Sequence, residues 1–418
     1  MLFYILLKRF HLQRNYRMVA QAQKQSIYTR QFMMLCLSTM LFFTSFNLII
    51  PELPDFLTKM GGADYKGYII SLFTLTAGLS RPFSGKLADT IGRLPVMIFG
   101  ALVCFVSSLL YPFATTIFAF FLLRFFHGMS TGFKPTATTA YIADIVPAQR
   151  RGEAMGLIGL FNSMGMAIGP FLGSKIAASL GLDILFYISS AMGLLSVLVL
   201  AGMKETLPKK QSFSPKLLAI KPNEIIDPKV LPAAVVMLFT TFSFGAILTL
   251  IPDFSIHIGL APADKGIFFS VYTLSSFGIR FLAGKISDKI KRTHLLKVST
   301  TLIALAMIYL STVTSYSELL IAGALFGISV GINSPTAFAW TIDLSNEKHR
   351  GRGMATLYIA LETGIGIGAY SSGSIFDNNA ANFKYAFWVG AFLSFIAFLF
   401  LIVHDFIANR KEKNVHVH

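Results

Sequence analysis

The segment Arg81-Pro-Phe-Ser-Gly-Lys-Leu-Ala-Asp89, continued by Thr-Ile-Gly-Arg93, returns in outline 199 residues on. There it reads Arg280-Phe-Leu-Ala-Gly-Lys-Ile-Ser-Asp288, continued by Lys-Ile-Lys-Arg292. A repeat at close to half the chain length requires two copies of one unit. Each copy falls where one long apolar segment ends and the next begins, so the unit is half of a membrane protein with a charged hairpin at a fixed place. Parallel repeats of this kind are a transporter arrangement.

Other positions repeat in the same way. Leu53-Pro-Asp-Phe56 returns as Ile251-Pro-Asp-Phe254 at a separation of 198, one residue short, and Lys66-Gly67 as Lys265-Gly266 at 199. Gly128 and Gly132 correspond to Gly327 and Gly331, Asp144 to Asp343, Arg151-Gly152 to Arg350-Gly351, and Gly165 and Gly169 to Gly364 and Gly368. Runs of roughly 20 mainly apolar residues, the length that crosses a hydrocarbon core of ~30 Å, predict helices near 31–57, 67–88, 94–113, 116–143, 154–178 and 183–203. A second set follows near 229–256, 265–287, 294–313, 317–342, 353–375 and 383–405. The expected fold class is all-α: twelve transmembrane helices in two pseudo-symmetric six-helix bundles, 31–203 and 229–405. A polar, basic stretch over 204–228 joins them as a cytoplasmic linker, with a basic tail at 1–30 and a second cytoplasmic tail at 406–418.

Composition agrees and narrows the class. Of the 418 residues 54% are hydrophobic and 13% charged, whereas a soluble chain carries about a quarter charged residues. The formal net charge of +16 does not indicate nucleic acid, because the basic residues crowd the termini and the even-numbered loops. That is the positive-inside pattern, with both termini cytoplasmic. Cys36 and Cys104 lie inside apolar segments and form neither a disulfide framework nor a metal pair. The first 30 residues lack a secretory core and cleavage site, and Met18 serves as a start as well as Met1.

Three motifs resemble those of the major facilitator superfamily, over essentially the whole of 31–405. Gly85-Lys-Leu-Ala-Asp89-Thr-Ile-Gly92-Arg93 is similar to the signature between its second and third helices. Arg124-Phe-Phe-His127-Gly128 is similar to a fourth-helix motif, with His127 where Gln is more usual. The run Gly165-Met-Ala-Ile-Gly169-Pro170-Phe-Leu-Gly173 resembles the fifth-helix signature of the drug:proton antiporter and efflux branches. The resemblance implies alternating access around a cavity between the bundles.

It also implies a cytoplasmic latch. Gly85 permits close helix approach, and Asp89 is an anion able to face the amides at another helix N-terminus. In the resembling family that helix is the eleventh, here beginning near Gly353, while Arg93 pairs with Asp144. Asp288, Arg292 and Asp343 form a degenerate second set, Lys291 standing where Gly92 stands in the first. The alternative is that these charges only orient their loops. The fifth-helix glycines are expected to pack against the other half, with Pro170 bending the helix.

Charges inside the bilayer are functional candidates by default. At about 1.5 Å per residue, Arg124 and Glu52 both lie roughly 30 Å from the cytoplasmic ends of their helices and are expected to meet, Arg124 tuning a proton-titrating or cation-attracting Glu52; the alternative is that Glu52 is a solvated loop acid beside Pro51 and Pro54. Lys134 and Glu362 share a depth of roughly 14–15 Å. Glu362 then serves as a proton or substrate site, or as a static bridge to Lys134. His127 is either a proton relay beside Arg124 or a hydrogen-bonded structural residue.

The reading is a secondary transporter of the inner membrane, working as a monomer and exporting a small amphipathic or drug-like compound in exchange for protons. Proton-coupled uptake, or export of a sugar or siderophore-like metabolite, is the alternative, and a receptor without turnover a more distant one. No nucleotide-binding loop, catalytic constellation or cofactor motif is present, so neither an enzyme nor a cofactor is expected.

Overall fold

The polar residues that precede the apolar runs become helix caps. Thr29 Oγ1 accepts the backbone N–H of Phe32, Thr116 Oγ1 that of Ala119, and Ser315 forms a reciprocal capping box with Glu318, satisfying amides that a helix start leaves unpaired. The computed structural model describes residues 27–147, 150–219, 225–287, 290–345 and 350–415.

Twelve long helices run through these residues. The first six are α1 (Arg30–Lys59, tightened at Ile50–Glu52), α2 (Gly67–Thr90), α3 (Arg93–Leu110), α4 (Ile117–Ile145), α5 (Arg151–Leu180) and α6 (Leu182–Ala201). The second six are α7 (Leu231–His257), α8 (Ile267–Ser287), α9 (Arg292–Leu310), α10 (Tyr316–Leu344), α11 (Arg350–Phe376) and α12 (Phe383–Val415). The last helix continues ten residues beyond the expected end at 405, so the predicted C-terminal tail is helical as far as Val415. Among the described residues, eight helices are long and apolar enough to cross a membrane. The other four, α2, α4, α8 and α11, carry interior charges such as Arg81, Arg124, Lys134, Arg280 and Glu362.

The duplicated glycines explain the packing. Gly128 and Gly132 let α4 lie against the backbone of α2 at Phe73 and Ala77, and Gly327 and Gly331 let α10 lie against α8 at Tyr272 and Ser276. Gly165, Gly169 and Gly173 of α5 rest on α1, just as Gly364 and Gly368 of α11 rest on α7. A Cβ at any of these positions would collide with a neighbouring helix, so small residues set the interhelical distance. The expectation that the α5 glycines pack against the other half is therefore corrected: their partner is α1 of the same half. Across the halves, α2 packs on α11 and α5 on α8, two contacts related by the pseudo-two-fold of the repeat.

Candidate functional site

One face of the molecule carries the α2–α3 hairpin, the linker and the end of α12; it is called the basic face here, and the opposite one the far face. Contact between the halves is concentrated toward the far face. Gly67 of α2 lies on the carbonyls of Ala369 and Tyr370 of α11, and Gly366 of α11 lies against Thr74 of α2. On the other seam Gly266 lies on the carbonyl of Pro170, and Ser270 Oγ donates to the Ala167 carbonyl at 2.6 Å. Closer to the basic face the described residues of the two halves part: a Cβ at Gly85, Gly156, Gly159 or Gly278 would meet none of them within 4 Å. The space between the halves thus opens to the basic face and is shut toward the far face.

Along this seam, among the described residues, the contact of α2 with α11 nearest the basic face that involves charged side chains is an ion pair. Arg81 Nη2 donates to Glu362 Oε1 at 2.7 Å, both side chains being 9% exposed. The Arg81 guanidinium also lies 4.1 Å over the ring of Tyr358, one turn along α11, a cation–π contact that strengthens with desolvation. The main chain of Gly78 lets α2 approach the Glu362 side chain from the same turn. The sequence reading paired Glu362 with Lys134, and the structure corrects this. Lys134 is turned into its own half, its ammonium donating to the Ser38 carbonyl of α1 at 3.3 Å and lying over Phe42.

Glu52 and Arg124 do not meet either. Glu52 sits in the tightened turn of α1 and accepts a hydrogen bond from Lys265 Nζ at 2.8 Å, across the halves. Arg124 instead donates to the Ile69 carbonyl at 2.9 Å and to Tyr111 Oη at 3.3 Å, with its guanidinium over Phe73. His127 lies at 3.3 Å from Tyr111 Oη through Nδ1 and 3.4 Å from Cys104 Sγ through Nε2, fully buried. It is linked to Arg124 through the tyrosine hydroxyl, inside the first half.

A profile of the Major Facilitator Superfamily matches residues 35–313 and 233–416, which together cover nearly the whole chain. The chain belongs to this superfamily. It is therefore a multi-pass membrane transporter rather than an enzyme. Among curated relatives it is 25% identical over 366 residues to Multidrug resistance protein 2 of Bacillus subtilis, covering 85% of this chain and 90% of that one. It is 29% identical over 308 residues to the multi-drug resistance efflux pump PmrA of Streptococcus pneumoniae, covering 70% and 75%. Among solved structures, the human organic anion transporter MFSD10 superposes with a TM-score of 0.70 at 20% identity, over 90% of this chain and 100% of that one. A D-xylose-proton symporter does so with 0.74 at 16% identity, over 88% and 96%. These two likenesses concern the fold.

In this facilitator the α2–α3 hairpin is tied to its own half. Arg93 donates to Asp89 and, at 3.1 Å, to Asp144 of α4. Among the described residues the expected contact of Asp89 with the start of α11 is not made: the Asp89 side chain is 70% exposed, and Gly353 packs on Ser345 and Val230 instead. The reason is the conformation, since the halves are apart on this face. Arg292 reaches Asp343 at 3.0 Å in the second copy, and Asp288 lies outside the described residues.

The sequence reading missed Glu205, just beyond α6. Its carboxylate accepts the N–H groups of Arg93 and Leu94 at 3.1 and 3.0 Å and so caps α3. Gly92 precedes this cap at φ 128°, a conformation that side-chain-bearing residues rarely adopt. A carboxylate on unpaired amides at a positive helix end is stabilising. Glu205→Ala is expected to cost about 1–2 kcal/mol, read as a lowered unfolding midpoint in detergent, while Glu205→Asp retains most of the stability.

Proposed function

We propose that this transporter is a proton-coupled antiporter that expels small amphipathic or drug-like compounds through the inner membrane by alternating access, as a monomer with linker and termini in the cytoplasm. The observation that carries the reading is the buried Arg81–Glu362 pair, which joins α2 of one half to α11 of the other where the cavity begins. A carboxylate in that place has two exclusive states. Ionised, it binds Arg81 and ties the halves; protonated, or claimed by a cationic group of the substrate, it releases Arg81. Proton binding and substrate binding then compete for one group, which is the requirement of exchange. The names of the bacterial relatives, multidrug resistance and efflux pumps, agree in substrate class and direction.

In this scheme the open basic face is the cytoplasmic, substrate-loading state. When the halves rock the other way, α2 and α11 approach at that face, and Gly85 and Asp89 meet the start of α11. The Arg93–Asp144 pair keeps the hairpin rigid for that contact. Purified protein in liposomes with an imposed pH gradient tests the reading. A lipophilic cationic dye is expected to move against its own gradient only while protons flow the opposite way. Dye movement that is unchanged when the proton gradient is collapsed would exclude antiport.

A further inference from the structure

Two of the repeated motifs, Pro54-Asp55 with Pro252-Asp253 and Lys66-Gly67 with Lys265-Gly266, have no part in the scheme above. The structure brings them together crosswise. Lys66, at the far-face start of α2, donates to Asp253 Oδ2 of α7 at 2.8 Å. Lys265, at the start of α8, donates to Asp55 of α1 and, at 2.8 Å, to Glu52 Oε2. Each lysine therefore reaches the repeat-related acid of the opposite half. Both lysines are buried, and the glycine after each seats its helix on backbone carbonyls of the opposite half, those of α11 at Gly67 and that of Pro170 at Gly266.

We propose that these two arms form a reciprocal clasp that shuts the far face, and that both must break for that face to open. Rocking about the pseudo-two-fold axis separates α2 from α7 and α8 from α1 in one movement, so the arms cannot be opened in turn. The Lys265–Glu52 bond joins two buried groups and is strong and little screened by salt, whereas the Asp55 end of the same arm is half exposed and weaker. A buried lysine that loses its partner is costly until water reaches it, so the far face exchanges between a paired state and a water-filled, unpaired one.

The arms are unequal. Leu250 stands at the repeat position of Glu52, so Lys265 is held by two carboxylates and Lys66 by one. Breaking the Lys265 arm is the more costly step, and losing Lys265 is expected to loosen the face more than losing Lys66.

The inference rests on alternating access, and the test separates the two. In the full chain carrying Cys36→Ala and Cys104→Ser, Thr74→Cys places a reporter between α2 and α11, below the clasp. Its labelling by a membrane-impermeant maleimide, added in liposomes to the face that bears Lys66 and Lys265, measures far-face opening. Lys66→Ala is expected to speed labelling about tenfold and Lys265→Ala about thirtyfold, the factors set by losing one charged hydrogen bond and, at Lys265, a further, weaker one to the half-exposed Asp55. Reversing the first arm, Lys66→Asp with Asp253→Lys, is expected to restore the parent rate and so to distinguish pairing from misfolding. Parent-rate labelling in both lysine variants, or a reversed arm as fast as Lys66→Ala, overturns the clasp. If the dye speeds labelling in the parent while the lysine variants do not, the clasp alone falls. If nothing labels the reporter even during transport, alternating access falls with it.

Discussion

Glu362→Gln is expected to lower gradient-driven accumulation by at least about tenfold while substrate exchange without a proton gradient persists. The amide preserves the shape of the side chain and can still accept a hydrogen bond from Arg81, so the protein should fold and the seam between α2 and α11 should close. What it cannot do is ionise, and without two charge states there is nothing for a proton to choose between. Removing one partner of a buried pair also leaves the other charge uncompensated, a cost of about 3–5 kcal/mol in the state that buries it. The Arg81 guanidinium retains Tyr358 beneath it, which offsets part of that cost. The double variant Arg81→Met with Glu362→Gln removes the stranded charge. It should recover thermal stability relative to Glu362→Gln and still fail to couple. Accumulation at the parent ratio in Glu362→Gln liposomes would remove Glu362 from the coupling step.

The membrane made the architecture legible. Spans follow from apolar length, and the repeat gave their pairing into two sets, because a hydrocarbon solvent admits few alternatives to helices. The duplicated glycines were recognised as marks of register, and they are the points where α4 lies on α2 and α10 on α8. The site was harder to read, for a geometric reason. Sequence gives the depth of a residue along a helix at about 1.5 Å per step but not the direction in which its side chain points. Arg124 and Glu52 share a depth and still miss each other, since Arg124 turns toward Ile69 and Tyr111 while Glu52 reaches the start of α8.

Arg81 was in view as the first residue of the repeated hairpin, yet its partner depended on which helices meet across the halves. Lys66 and Lys265 likewise stand out in the sequence as repeats, but nothing in it shows which acids they reach. Asp89 shows a different limit. A latch that forms only in one state of a moving protein, as proposed for Asp89, has no fixed partner to read from a sequence, and with the basic face open its neighbour is Arg93.

Gly266→Leu is expected to slow transport by biasing the far face open, whereas Gly173→Leu is expected to destabilise the fold and lower the unfolding midpoint. The two glycines are alike in crowding, since a Cβ at Gly266 would collide with the Pro170 carbonyl and one at Gly173 with the Leu48 carbonyl. They differ in what can yield. Overpacking a tight contact costs about 1–3 kcal/mol. At Gly173 the contact is between α5 and α1 of the same half, so no rocking relieves it and the cost falls on folding. At Gly266 the contact is between α8 and α5 of opposite halves, and moving the halves apart removes the clash. The same cost then becomes a shift of roughly five- to hundredfold toward the far-open state. Spin labels at Thr139 of α4 and Ile342 of α10, both exposed on the basic-face ends of their helices, report that shift as a shorter distance. A Gly266→Leu protein with the parent distance distribution and a lowered unfolding midpoint would mean that this seam belongs to the fixed fold, and that the halves do not separate there.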